Sequence, residues 1–218
     1  MKEKVSLAVI NRLPRYYRYL GDLLDAGITK ISSQELSEKM GTTASQVRQD
    51  LNCFGGFGQQ GYGYNVELLY KEIASILGLD RKYTAILIGV GKLGNAILNR
   101  ITFEKRGFKL IALFDNNPEI IGQEVRGLKV LDVNTIDDFC RIHKPDVAFL
   151  TLPREAVPGM AIRLEKLGIK GFWNFSSGYV KLENKEIPVE NVHLGDSLMT
   201  LCYRVNELEK KLQNQNKI

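Results

Sequence analysis

The hexapeptide Gly89-Val90-Gly91-Lys92-Leu93-Gly94 constrains the fold of this chain more than any other segment. It has the spacing G-x-G-x-x-G. It follows the apolar run Thr84-Ala85-Ile86-Leu87-Ile88 and opens a helical stretch from Lys92 to Ile101. A strand that turns sharply into a helix at such a motif belongs to a βαβ unit. Gly89 allows the tight turn, Gly94 lets the helix pack close to the sheet, and Gly91 lets a phosphate approach the N–H groups at the helix start.

The rest of this half fits a parallel sheet covered on both faces. Short apolar strands are expected at Lys109–Phe114, Leu128–Leu131, Asp146–Leu152 and Gly171–Phe175. Helices are expected at Ile136–His143 and Arg154–Leu167, with a last amphipathic helix from about Asp196 to Leu212. This alternation defines an α/β class. Asp115 ends the strand after the motif, roughly 20 residues on, where an acid can accept both ribose hydroxyls of an adenosine. A 2′-phosphate would meet its charge, and Asn116-Asn117-Pro118 offers no Arg to compensate. The expected ligand is therefore NAD(H) rather than NADP(H). Coenzyme A, or no ligand, is the alternative for such a fold.

The first part of the chain is organised differently. Pro14 leads a helical run with Tyr16, Tyr17, Leu20, Leu23 and Leu24 on one side, closed by Gly27. Ser32-Ser33-Gln34-Glu35 and Thr43-Ala44-Ser45-Gln46 both have the form of a capping box, each starting a helix. Gly41 stops the first of these. In the second, Ala44, Val47, Leu51 and Phe54 form an apolar stripe, with Ser45, Arg48, Gln49 and Asn52 opposite. Gly55-Gly56-Phe57-Gly58-Gln59-Gln60-Gly61-Tyr62-Gly63-Tyr64 alternates glycines with aromatics and suits a hairpin. A further helix is expected at Val66–Leu77, then a linker at Gly78–Lys82.

Helix, glycine turn, helix and glycine-rich hairpin together form a winged helix-turn-helix, with one helix face free to enter a major groove. Arg48 can pair with guanine, and Gln46 or Gln49 with adenine, while Ser45 shares their face. Gln59, Gln60 and Tyr62 on the hairpin offer hydrogen bonds to the backbone or minor groove. Arg12, Arg15 and Arg18 form a basic cluster suited to phosphates. A small helical interaction domain with a solvated face is the alternative.

Bulk composition adds little. The 218 residues carry a net charge of +5, but basic and acidic residues balance up to Asp80, so the local arrangement must carry a nucleic-acid argument. No apolar run reaches the roughly 20 residues of a membrane span. The charged start, Met1-Lys2-Glu3-Lys4, is unlike a signal peptide, and a cytoplasmic setting is expected. Cys53, Cys140 and Cys202 lie far apart and form no Cys-x-x-Cys pair, so buried reduced thiols, and no disulfide framework or zinc site, are expected. A dehydrogenase would need a substrate domain and an acid or base near the nicotinamide. Too little chain remains after Phe175 for such a domain, and His143 and His193 are the only histidines. A non-enzymatic role is expected, with an NAD-dependent oxidoreductase carrying an N-terminal interaction domain as the runner-up.

Several segments closely resemble the Rex family of redox-sensing transcriptional repressors: Arg12-Leu13-Pro14-Arg15-Tyr16, Thr43 to Asp50, Phe54 to Gly58, Gly61 to Tyr64, the glycine fingerprint, Phe114-Asp115, Pro153-Arg154-Glu155 and Asn174-Phe175. The resemblance implies a winged helix-turn-helix domain over residues 1–79, a Rossmann NAD(H)-binding domain over 80–195, and a dimer-exchange helix over 196–218. It implies a cytoplasmic homodimer that binds palindromic operator DNA and is released by NADH. It extends the nucleotide site to Thr151, Pro153, Asn174 and Phe175, with the nicotinamide near the start of the last helix. Three positions depart from the pattern of many members. Gln49 stands where they have Lys, His193 where they have Asp, and Arg100 where some have Tyr.

Overall fold

The computed structural model describes residues 5–55, 58–59 and 63–215. The chain divides into two compact units, residues 1–81 and 82–218.

In the first unit, α1 (Leu7–Ile10) precedes α2 (Leu13–Asp25), then β1 (Lys30–Ile31), α3 (Ser33–Met40) and α4 (Ala44–Asn52). The strands β2 (Gly58–Gln59) and β3 (Gly63–Asn65) lead into α5 (Val66–Ile76). α3 opens on the full capping box: Ser32 accepts from the Glu35 N–H, and the Glu35 carboxylate accepts from the Ser32 N–H at 2.8 Å. It ends on Gly41 in the left-handed conformation. Leu13, Tyr16 and Leu20 of α2 pack with Leu36, Val47, Leu51, Leu69 and Ile73 in one core. Tyr17 stacks on Tyr70, tying α2 to α5. The hairpin β2–β3 is antiparallel, and β3 pairs with β1, giving a three-stranded sheet ordered β1-β3-β2. The short β1 is not visible in the hydrophobic pattern. It exists because Gly63, at φ +72, lets β3 come close: a Cβ there would stand 2.5 Å from the Ile31 carbonyl oxygen.

In the second unit, the strands are β4 (Tyr83–Ile88), β5 (Phe108–Asp115), β6 (Glu124–Val125), β7 (Leu128–Asp132), β8 (Val147–Leu150), β9 (Gly171–Asn174) and β10 (Val189–Asn191). The helices are α6 (Lys92–Arg100), α7 (Ile136–His143), α8 (Val157–Lys166) and α9 (Leu194–Gln215). The sheet order is β10-β9-β8-β4-β5-β7-β6, parallel except for β6 at the edge. The six parallel strands have the order of a doubly wound dinucleotide-binding sheet, which reverses between β4 and β8. Successive residues of β4 face opposite cores: Ala85 and Leu87 join α6 on one side, Ile86 and Ile88 join α7 and α8 on the other. Helices on both faces explain why the strand is a continuous apolar run.

The start of α8 and one edge of the sheet differ from the sequence reading. Arg154–Ala156 form a 3-10 turn, because Pro158 allows α8 to begin only at Val157. β10 joins the sheet edge although Val189-Glu190-Asn191 shows no apolar run. None of α9 is buried. Its Leu194, Leu198, Leu201, Val205, Leu208 and Leu212 alternate in steps of four and three, and all are exposed.

Candidate nucleotide cleft and recognition helix

A cleft of about 490 Å³ opens where the sheet order reverses. Open α/β sheets bind ligands at this place, outside the carboxyl ends of the strands. Gly89, Gly91, Asp115, Asn116, Thr151 and Pro153 line it together with apolar residues such as Ile120 and Met160. Among the described residues no Lys or Arg lines it, and Asp115 is its one ionisable side chain.

The three glycines have distinct causes. Gly89 sits at φ +98, with Thr151 so near that a Cβ would lie 2.7 Å from its carbonyl oxygen. A Cβ on Gly94 would collide with the Gly89 carbonyl. These two serve the fold. Gly91 is different: its φ is −66, and a Cβ would meet no protein atom within 4 Å. Only the cleft lies before it. No side chain caps α6, so the helix terminus that follows Gly91 lacks the partner a capping side chain would give its first N–H groups. The Thr151 hydroxyl donates to the Gly89 carbonyl at 2.5 Å, clasping the β4 and β8 ends together.

Asp115 is 8% exposed. Its Oδ2 accepts from the Val90 N–H at 2.6 Å and its Oδ1 from the Asn117 N–H at 2.8 Å. Each oxygen keeps acceptor capacity toward the cleft. Three expected contacts change in this light. Val90 is buried and its N–H is taken by Asp115, so it supports the loop. Asn174 is fully buried, donates to the Gly178 carbonyl and to Asn191 Oδ1, and accepts from the Ser176 N–H. It ties β9 to the following turn and to β10. Phe175 packs edge-on against Trp173, away from the cleft lining.

In the first unit, α4 presents Ser45, Arg48, Gln49 and Asn52 as exposed, while Val47 and Leu51 are buried. Thr43 caps α4 by accepting from the Gln46 N–H. The expected reciprocal bond is replaced: Gln46 Nε2 donates to Asp50 Oδ1 at 2.8 Å. Asp50 was not singled out by sequence, yet it is fully buried and also binds Arg12 through Nε and Nη2, at 2.6 and 2.7 Å. Arg12 is therefore an ion-pair partner within the fold first, not a member of a free basic cluster. Burial raises the Asp50 pKa, but hydrogen bonds from Arg12, Gln46 and Tyr16 outweigh it and hold the carboxyl below its ordinary value. Arg48 Nη1 donates to the Ser33 hydroxyl, bridging α4 to the start of α3. Gln59 lies on β2, and Gln60 and Tyr62 lie outside the described residues.

A winged helix-turn-helix unit followed by a Rossmann-type unit defines a class of two-part proteins, and both parts have relatives. Residues 4–52 match the family described as "Putative DNA-binding protein N-terminus", and residues 80–178 match "CoA binding domain". The chain is 54% identical over 216 residues to the redox-sensing transcriptional repressor Rex of Thermoanaerobacter pseudethanolicus, covering 98% of this chain and 96% of that one. It is 54% identical over 205 residues to that of Clostridioides difficile, covering 94% and 97%. Among solved structures, RSP, a Rex-family repressor, in complex with β-NAD+ and operator DNA superposes with a TM-score of 0.86 at 53% identity, over 98% of this chain and 99% of that one. RSP with β-NADH gives 0.87 at 51% identity, over 97% and 100%. The chain belongs to the Rex family of redox-sensing transcriptional repressors.

Proposed function

We propose that this protein is a cytoplasmic homodimeric repressor that binds palindromic operator DNA and is released by NADH. Gly91 carries the nucleotide half of this reading. Its φ is ordinary and a Cβ there would meet no protein atom within 4 Å, so packing gives this glycine no reason. It has one if a pyrophosphate closes on the uncapped start of α6. In this reading Lys92 and Leu93 bind through their N–H groups, Asp115 and Asn116 take the adenosine ribose, and Thr151 and Pro153 form the opposite wall. The lack of Lys and Arg in the lining favours NAD(H) over a 2′-phosphorylated nucleotide or coenzyme A. Asp115 already holds two backbone N–H groups, which suits an anchoring carboxylate better than a general base. This speaks for an effector site and against the oxidoreductase reading.

For DNA, Ser45, Arg48 and Gln49 are exposed on α4 and available to base edges. Residues 1–79 are the DNA-binding domain, 80–195 the NAD(H)-binding domain and 196–218 the exchange helix. The exposed apolar seam of α9 needs a partner surface, and a second copy of the chain supplies it. RSP has been solved with β-NAD+ on operator DNA and, separately, with β-NADH. An effector changes DNA affinity only by binding two protein states differently.

The test is fluorescence anisotropy on a palindromic Rex-type operator at fixed salt, with NADH, with NAD+ and without nucleotide. Binding that NADH abolishes and NAD+ spares is expected. Binding indifferent to both removes the sensing role, and absence of specific binding returns the oxidoreductase reading.

A further inference from the structure

The arginines at the start of α2 divide into two kinds. Arg12 is clamped: Asp50 accepts from its Nε and Nη2. The same carboxylate accepts from the Tyr16 hydroxyl at 2.9 Å and from Gln46 Nε2 at 2.8 Å. These bonds fill the roughly four acceptor positions a carboxylate has. Asp50 leaves Arg12 Nη1 unengaged, and the Arg12 side chain is 32% exposed. Arg15 is exposed and anchored once, from Nη2 to the Met40 carbonyl at 3.1 Å. Arg12 and Arg15 border one cavity of about 210 Å³ at the corner where α3 turns into α4, closed by Tyr16, Met40, Gly41 and Thr42. Arg18 is not part of its wall.

A single water needs only about 10–15 Å³ of such space, so a tetrahedral anion fits. The Gly41 and Thr42 N–H groups are spent on the Glu38 and Ser37 carbonyls. The donors left to the cavity are the two guanidiniums and the Thr42 hydroxyl. No acidic residue lines it.

We propose that this corner seats one backbone phosphodiester of duplex DNA between Arg12 and Arg15, with Asp50 as the positioning residue that fixes Arg12. The proposal rests on the DNA-binding reading of the first unit. A guanidinium held in place before binding loses less freedom when it meets a phosphate. Asp50 neutralises much of Arg12, so Arg15 supplies the net positive charge. Free phosphate has the same chemistry. Duplex DNA is favoured because the corner leads directly into α4, which exposes Ser45, Arg48 and Gln49.

The full chain is titrated with a palindromic and a random duplex across a salt series. Arg15→Gln is expected to weaken both alike and to lower the slope of log K against log salt by about 0.9, the value for one phosphate. Arg12→Lys keeps the charge but loses the fork, since its ammonium is drawn onto Asp50. The slope is expected to fall here too, a result that charge counting alone does not give. Thermal melts check that both variants fold. Unchanged slopes in both folded variants overturn the seat. If inorganic phosphate then shifts the Thr42 amide resonance saturably, the corner takes free phosphate instead, which also overturns the DNA assignment. If the unaltered chain binds neither duplex, the DNA-binding reading fails, and the seat with it.

Discussion

The Val90 N–H donates to Asp115 Oδ2 at 2.6 Å, so the carboxylate that ends β5 holds the glycine-rich loop that follows β4. In the proposed nucleotide reading, the same side chain also takes the ribose. Asp115→Ala is expected to weaken NADH binding roughly 10- to 100-fold, the worth of a lost charge-assisted hydrogen bond of about 1.5–3 kcal/mol. DNA binding without nucleotide should be little affected. Isothermal titration with NADH, set beside operator anisotropy, separates the two, and equal loss of both would count against the ribose assignment.

Gly91 and Gly94 should respond oppositely to the same added methyl. Gly94→Ala forces a Cβ into the Gly89 carbonyl and is expected to cost about 1–3 kcal/mol or more. Gly91→Ala meets no protein atom and should stay within about 1 kcal/mol of the parent, the scale of a changed N-cap. Its loss should appear in nucleotide affinity. Melting curves with and without NADH distinguish a folding defect from a binding defect.

The Asp50 carboxyl, held below its ordinary value, links stability to acid. A depressed folded-state pKa stabilises above the unfolded value of about 3.9. That contribution disappears as pH falls through the folded pKa. Asp50→Ala strands Arg12 and the Tyr16 hydroxyl, and should destabilise the first unit by about 3–5 kcal/mol at neutral pH. Asp50→Asn should flatten the loss of stability below about pH 4. Urea denaturation across pH reads both.

Arg48→Ala is expected to reduce discrimination between operator and random duplex by about 1–3 kcal/mol if the guanidinium pairs with a base. The salt slope should then hold. A changed slope with unchanged discrimination would make Arg48 a phosphate contact.

Deleting residues 194–218 removes the exposed seam of α9. Analytical ultracentrifugation should find the full chain dimeric and the shortened one monomeric. A shortened chain that stays dimeric would place the interface elsewhere.

The features legible in sequence were local ones. The glycine fingerprint, the Ser32 capping box and the Gly41 stop concern residues a few positions apart, and their geometry follows from spacing. The apolar runs gave β4, β5 and β8 because strands buried on both faces need no alternation. What escaped notice depends on distant partners. Asp50 meets Arg12 across 38 positions, and no periodicity marks that pairing. Gln46 fits a capping box until a buried carboxylate competes for its amide. Asn174 binds Gly178 and, 17 positions on, Asn191, a pairing that spacing does not show. β1 and β10 depend on neighbours they pair with rather than on their own composition.

Gly91 also bears on how such a protein changes over generations. The fold exerts almost no demand on this position, so a larger residue there would escape the cellular machinery that removes misfolded chains. If the proposed phosphate contact holds, the product would be a folded, DNA-competent protein deaf to its effector, and the replacement of this glycine in a lineage would record that the need to sense had lapsed.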